Sequence, residues 1–148
     1  MRPILVSTCL LGIPTRYDGG AKRSERVIDY LRRNDFVPVP VCPEQLAGLP
    51  TPRPKTWFAR GSGADILEGE GEIVTEQGED VSESFLSGAR QTARIARLSG
   101  CRTAILKERS PSCGVHQIYR GSNKVSGQGV AAALLLRHGL ELLGEEDL

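Results

Sequence analysis

Three short apolar runs, Ile4-Leu5-Val6-Ser7, Phe36–Val41 and Thr103–Leu106, have strand length, and segments of helical periodicity fall between them. Gly, Pro and capping residues mark the junctions. That alternation predicts an α/β fold: a single Rossmann-like domain with a short, mainly parallel sheet flanked by helices. The 148 residues suit one domain, 1–148, with its own core. In sheets of this kind, ligands bind outside the carboxyl ends of the strands, so the loops at those ends carry the functional argument.

The elements follow in order. Ile4 to Ser7 is the first buried strand. It leads into Thr8-Cys9-Leu10-Leu11-Gly12 and the polar turn Tyr17-Asp18-Gly19-Gly20. Ser24 is the expected N-cap of a helix to about Asn34, with Val27, Ile28 and Leu31 on one face. Phe36–Val41 is the second strand, with irregular pairing expected at its two prolines. Cys42-Pro43-Glu44 follows directly. The segment at about 51–79 begins with a stiff, proline-rich stretch and continues through glycine turns, and it reads as a hairpin and loop excursion outside the core. Asp80-Val81-Ser82-Glu83 reads as a capping box, with Asp80 as N-cap. The helix it opens runs to about Ser99, its apolar face including Phe85, Leu86, Ala89, Ala93, Ala96 and Leu98, and Gly100 ends it. Thr103–Leu106 is the third strand, Lys107 to Gly114 is a loop, and VAAALLLRH is a last helix ending at Gly139. Leu140 to Leu143 is a final strand, and GEEDL reads as a loose acidic end.

Composition narrows the function. A formal net charge of +1 and 5% aromatic residues give neither a polyanion-binding surface nor a base-stacking platform, so nucleic acid is not expected as a partner. A local basic patch of Arg53, Lys55 and Arg60 is the one feature on the other side. MRPILVSTCLLG is too short for a signal h-region, and no apolar run approaches the ~18 residues of a membrane span. A cytoplasmic, thiol-reducing setting is therefore expected, where four cysteines point to metal or catalysis more than to disulfides.

The strand pattern sorts those cysteines. Cys9, Cys42 and Cys113 each follow a strand and leave its carboxyl edge, whereas Cys101 precedes the third strand. A four- or five-residue strand spans roughly 15 Å, far beyond a shared ligand sphere, so Cys101 is excluded. With no CxxC pair, the spacing matches neither a zinc ribbon nor a thioredoxin-type site. Three thiolates suit a [4Fe–4S] cluster with one iron left open. They suit equally a catalytic zinc with an open position, and the residues alone leave both standing. Glu44 and Ser110 are placed beside two of the sulfurs to move a proton or orient water. Asp18, Arg53 and Ser112 are the expected substrate-binding residues, and neither His116 nor His138 lies at metal-ligand spacing.

The runs VSTCLLGIPTRYDGG, PVCPEQLAGLPTPRP, EDVSESFLSGA, LKERSPSCG and SGQGVAAALLL resemble, in the same order and over nearly the whole chain, the family described as domain of unknown function 523, associated with 2-thiouracil desulfidase. The resemblance implies a [4Fe–4S] cluster held by three cysteines, which by motif fall on Cys9, Cys42 and Cys113. It implies non-redox removal of sulfur from a small thiolated heterocycle, 2-thiouracil to uracil plus sulfide, with the thiocarbonyl sulfur taken by the open iron. Glu44 and Ser110 match the positions of proton transfer and substrate activation. Two other readings stand beside it: a zinc-dependent hydrolase using the same three thiolates, and a non-enzymatic cluster module that senses redox state or carries sulfur. No membrane partner is expected, and the oligomeric state is left open.

Overall fold

The computed structural model describes residues 1–148. Its strands are β1 (Arg2–Ser7), β2 (Phe36–Val41), β3 (Thr56–Arg60), β4 (Glu72–Thr75), β5 (Thr103–Leu106), β6 (Gln117–Arg120), β7 (Asn123–Ser126) and β8 (Glu141–Gly144). The helices are α1 (Glu25–Arg33), α2 (Pro43–Leu46), α3 (Gly63–Leu67), α4 (Ser82–Ser99) and α5 (Val130–Arg137), with 3₁₀ turns at Thr8–Leu11 and Glu145–Asp147.

The first sheet has the order β2-β1-β5-β8 and is parallel throughout, as the sequence led us to expect. Because side chains alternate along a strand, β1 feeds two cores at once. Leu5 packs with Ala93, Ala96, Ala104, Leu106, Ala132 and Leu135 on the side of α4 and α5. Ile4 and Val6 pack with Val27, Leu31 and Ile105 on the side of α1. Helix α1 starts as its sequence dictates, with the Ser24 hydroxyl accepting from the Val27 N–H at 3.3 Å. Strand β2 pairs with β1 in unbroken register from Arg2↔Phe36 to Ser7↔Val41, so the expected irregularity is absent. Pro38 and Pro40 share one parity on an edge strand. Their missing N–H groups therefore point away from β1 and cost the ladder nothing.

The segment 51–79 differs from the expectation. It does contain an antiparallel pair, β3 with β4, but this pair joins β6 and β7 in a second sheet of order β4-β3-β6-β7. Phe58, Ile66, Ile73 and Ile118 from that layer bury against Phe85 and Ala89 of α4 and Val130 and Ala131 of α5. A fully buried Phe such as Phe58 contributes about 1.5–3 kcal/mol, so the segment is core rather than excursion. Helices α4 and α5 serve both sheets: Phe85 and Ala89 face the second, Ala93 and Ala96 the first.

Two further expectations are corrected at helix α4. Its N-cap is Val81, not Asp80, and no side chain caps it. The Asp80 carboxylate instead accepts from the Ser82 N–H at 2.9 Å, while the Ser82 hydroxyl accepts from the Ile73 N–H at 2.9 Å, so the junction is tied to β4. Leu98 is 80% exposed and belongs to no core. Gly100 ends the helix in the left-handed conformation expected of it. The acidic terminus is not loose either: Glu145–Asp147 forms a 3₁₀ turn fastened to the loop after β5. No helix of the chain is long and apolar enough to cross a membrane.

Candidate functional site

A cavity of about 240 Å³ opens at the carboxyl edge of the first sheet, where β1 is flanked by β2 on one side and β5 on the other. Its lining includes Cys9, Cys42 and Cys113, together with Glu44, Arg53, Ser110 and Ser112. Cys101 is not part of it; it follows the C-cap of α4, where its N–H donates to the Ala96 carbonyl at 2.9 Å. All four cysteines are free thiols. Asp18 also stands apart from the cavity, exposed, its carboxylate accepting from the Gly20 N–H at 2.9 Å in a local turn.

Each sulfur is delivered by local structure. Cys9 sits in the 3₁₀ turn that continues β1, and its carbonyl accepts from Gly12 and Lys22 N–H groups. Cys42 is the N-cap of α2, with Pro43 in the first helical position where its missing N–H is harmless. Helix α2 lies directly on α4 at Gly88, where a Cβ would come within 2.1 Å of the Pro43 carbonyl oxygen. Cys113 belongs to the loop after β5, and that loop caps α5. The Pro111 carbonyl accepts from Val130 N–H, and the Ser112 carbonyl accepts from the N–H groups of Ala131 and Ala132. Gly129 allows this approach, since a Cβ there would lie 2.4 Å from the Ser112 carbonyl carbon.

Burial governs the thiols. It pushes Cys113 up to about 12, offset in part by the Ser7 and Ser112 hydroxyls. It pushes Cys9 up to about 11, with the Lys107 ammonium working the other way. Sulfurs so far above neutrality remain thiols unless a metal takes them as thiolates. Three cysteine sulfurs lining one cavity are a donor set for a thiophilic metal group. Cys9, Cys42 and Cys113 line this one cavity with no fourth cysteine beside them, so a polynuclear group held there would keep one position without a protein ligand.

A directed hydrogen-bond chain runs along one wall. The Arg53 Nε–H donates to Glu44 Oε1 at 3.1 Å, and the two side chains are only 4% and 12% exposed. The Ser112 hydroxyl donates to Glu44 Oε2 at 2.9 Å. Ser110 Oγ lies 2.9 Å from Ser112 Oγ and accepts from the N–H groups of Ser112 and Cys113. A hydroxyl has one proton to give, so Ser110 donates to Ser112 and Ser112 donates to Glu44. Arg53 has further donors on the Pro50 carbonyl, the Thr51 hydroxyl and the Thr15 carbonyl, which leaves little of its guanidinium for a ligand. Its geometry is that of a clamp on Glu44.

Sequence reasoning missed Glu108. This carboxylate is 3% exposed, and its Oε1 accepts from the N–H groups of Val115, His116 and Gln117 at 2.8–2.9 Å, closing residues 108–117 into a ring around Ser110 and Cys113. Also missed were Lys107 and Arg109, which line the cavity, and their partners Glu145 and Glu146. A signal was present: the charged triplets Lys107-Glu108-Arg109 and Glu145-Glu146-Asp147 each follow a strand. The register Leu106↔Gly144 sets those strand ends side by side.

Three thiols, a clamped carboxylate and serial hydroxyls at the carboxyl edge of a parallel sheet make a set of residues suited to chemistry at a thiolate-held metal. Comparison with known proteins makes the class particular. The 2-thiouracil desulfurase family description matches residues 4–147. YbbK of Bacillus subtilis (strain 168), an uncharacterized protein, is 42% identical over 148 residues, covering 98% of this chain and 97% of its own. A solved structure of the [4Fe–4S]-dependent thiouracil desulfidase TudS is 39% identical, covering 100% of this chain and 93% of that chain with a TM-score of 0.85. The chain belongs to the 2-thiouracil desulfurase family.

Proposed function

We propose that this protein is a [4Fe–4S]-dependent desulfidase that converts a small thiolated heterocycle, such as 2-thiouracil, into its oxygen counterpart and sulfide. The observation that carries the proposal is the joint placement of Cys9, Cys42 and Cys113 with the Glu44–Ser112–Ser110 chain around one cavity, in a chain of this family. Cys9, Cys42 and Cys113 would hold the cluster, which when bound supplies a soft iron without a protein ligand, matched to a thiocarbonyl sulfur.

The net reaction is hydrolytic: thiocarbonyl plus water gives carbonyl plus hydrogen sulfide, with no electrons gained or lost. The chain's own residues supply the proton traffic. Glu44, oriented by Arg53, takes a proton at its carboxylate from the attacking water, and the departing sulfur receives a proton in return. Ser112 and Ser110 extend that carboxylate toward the substrate, Ser110 as the terminal hydroxyl and Ser112, 2% exposed, as the buried link. Four of the five cations lining the cavity, Arg16, Arg53, Lys107 and Arg109, face carboxylates, which favours a small neutral ring over a polyanion. Four free cysteines fit the reducing cytoplasm.

The test is anaerobic iron–sulfur reconstitution followed by sulfide release across a panel of thiolated bases and nucleosides. The expected protein is brown, holds about four iron and four sulfide per chain, and turns over 2-thiouracil. A colourless protein with one tightly bound zinc refutes the cluster. A loaded cluster that turns over none of the panel refutes the desulfidase and leaves a sensor or sulfur carrier.

A further inference from the structure

The segment after β8 presents three successive acids, and each is fastened to a different part of the loop that carries Ser110, Ser112 and Cys113. Glu145 accepts from the Glu108 N–H at 2.7 Å and from the Lys107 ammonium at 2.8 Å, with both side chains of that ion pair under 20% exposed. Glu146 takes Arg109 bidentately, at 3.0 and 2.7 Å. Asp147 meets His116 Nε2 at 2.9 Å and accepts from the Gly144 N–H at 2.7 Å. The Leu148 carbonyl accepts from Arg26, which anchors the far end of the segment to α1.

The loop needs holding. Arg109 has φ +70°, a left-handed conformation that a residue with a long side chain adopts only when its surroundings over-determine it. It stands one residue before Ser110. Glu108 closes the ring from inside, and the acids close it from outside.

We propose that Glu145, Glu146 and Asp147 form a positioning clasp: by fixing residues 107–116 they hold the Cys113 sulfur and the Ser110–Ser112 hydroxyls in register with Cys9, Cys42 and Glu44. The clasp acts through the loop and touches no substrate. This inference rests on the site reading above, and the experiment separates the two.

Hydrogen exchange is measured on the reconstituted full chain and on the Glu145→Ala/Glu146→Ala/Asp147→Ala variant, alongside turnover of 2-thiouracil. In the variant, amides of 108–117 are expected to exchange about tenfold faster, while those of β1 and α4 are unchanged. The kcat is expected to fall about tenfold with KM held, as for groups misplaced around a bound substrate. Unchanged exchange in 108–117 overturns the clasp whatever the activity. Faster exchange throughout the chain also overturns it, since that reports a global loss of stability. Loosened loop amides with no turnover even in the unsubstituted chain leave the clasp standing and sink the site reading instead. If the triple variant does not fold, Glu145→Gln and Glu146→Ala singly carry the same test, each expected to loosen the same amides.

Discussion

Cys101 and Cys113 lie either side of β5, are 7% and 4% exposed, and burial raises both thiols. Yet one closes a helix–strand junction and the other faces a cavity with a hydroxyl beside it at 3.6 Å. Side-chain chemistry and solvent exposure are thus nearly the same at both positions; what differs is the end of the strand and, with it, how deeply the sulfur is buried. In a parallel sheet the carboxyl edge gathers loops from several strands, while the amino edge on this side receives the end of α4. Burial alone does not make a sulfur a ligand; convergence does.

The comparison is broken most directly by substituting the two cysteines. Cys113→Ser is expected to abolish retention of iron after anaerobic reconstitution, whereas Cys101→Ala retains the full complement, read as iron and acid-labile sulfide per chain. Equal loss in both variants would mean that the strand edge does not sort them. Next in size is Glu44→Gln, which removes the carboxylate but keeps the side-chain shape. A loss of about 10²–10⁴ in kcat with the cluster absorbance intact is expected of a group that moves a proton. If kcat holds and iron is lost, Glu44 belongs with the sulfurs rather than with the proton chain.

A smaller effect tests how the carboxyl edge is assembled. Gly88→Ala on α4 pushes a methyl group into the Pro43 carbonyl and must displace α2, with Cys42 and Glu44 on it. Overpacking of this kind costs about 1–3 kcal/mol in chemical denaturation. Slower turnover should accompany it, because the shelf under the site has moved. An unchanged denaturation midpoint would show that α2 rides free of α4.

The smallest effect is a pH dependence. His116 is held above its ordinary value of 6.5 by its hydrogen bond to Asp147. Asp147 is held below the usual carboxylate range, first by the Gly144 N–H and then by His116. The raised histidine contributes stability that is fully present below 6.5 and is lost as pH rises through its folded value. The lowered aspartate contributes above its unfolded value and loses that contribution as pH falls through its folded one. His116→Ala should therefore lower the melting temperature most near about pH 5 and scarcely at about pH 8. The ring is 61% exposed and screened, so the shift is small. A difference that grows with pH would refute the pairing.

Much of this molecule was legible in its sequence because local rules and tertiary demands agree there. Strands β2 and β5 fall on the apolar runs that announced them, and Ser24 and Gly100 cap as their residue types require. The three cysteines meet at one cavity because the strand-end argument is topological and survives errors of a residue or two. What was not legible depends on distant pairing. Strands β3, β4, β6 and β7 are short and half polar, and only their partners and the shared faces of α4 and α5 make them core. Arg53 reads as a free cation until Glu44, nine residues away, is seen to hold it. GEEDL reads as a solvated tail until the β5–β8 register brings it beside Lys107-Glu108-Arg109.

The paired prolines of β2 have a consequence for how two copies of the chain can meet. An exposed edge strand normally offers a row of N–H groups on which a second chain can build. Here two outward positions of the edge have no hydrogen to give, so neighbouring copies find no continuous ladder to extend. That side of the sheet is thereby closed to strand pairing with a second copy.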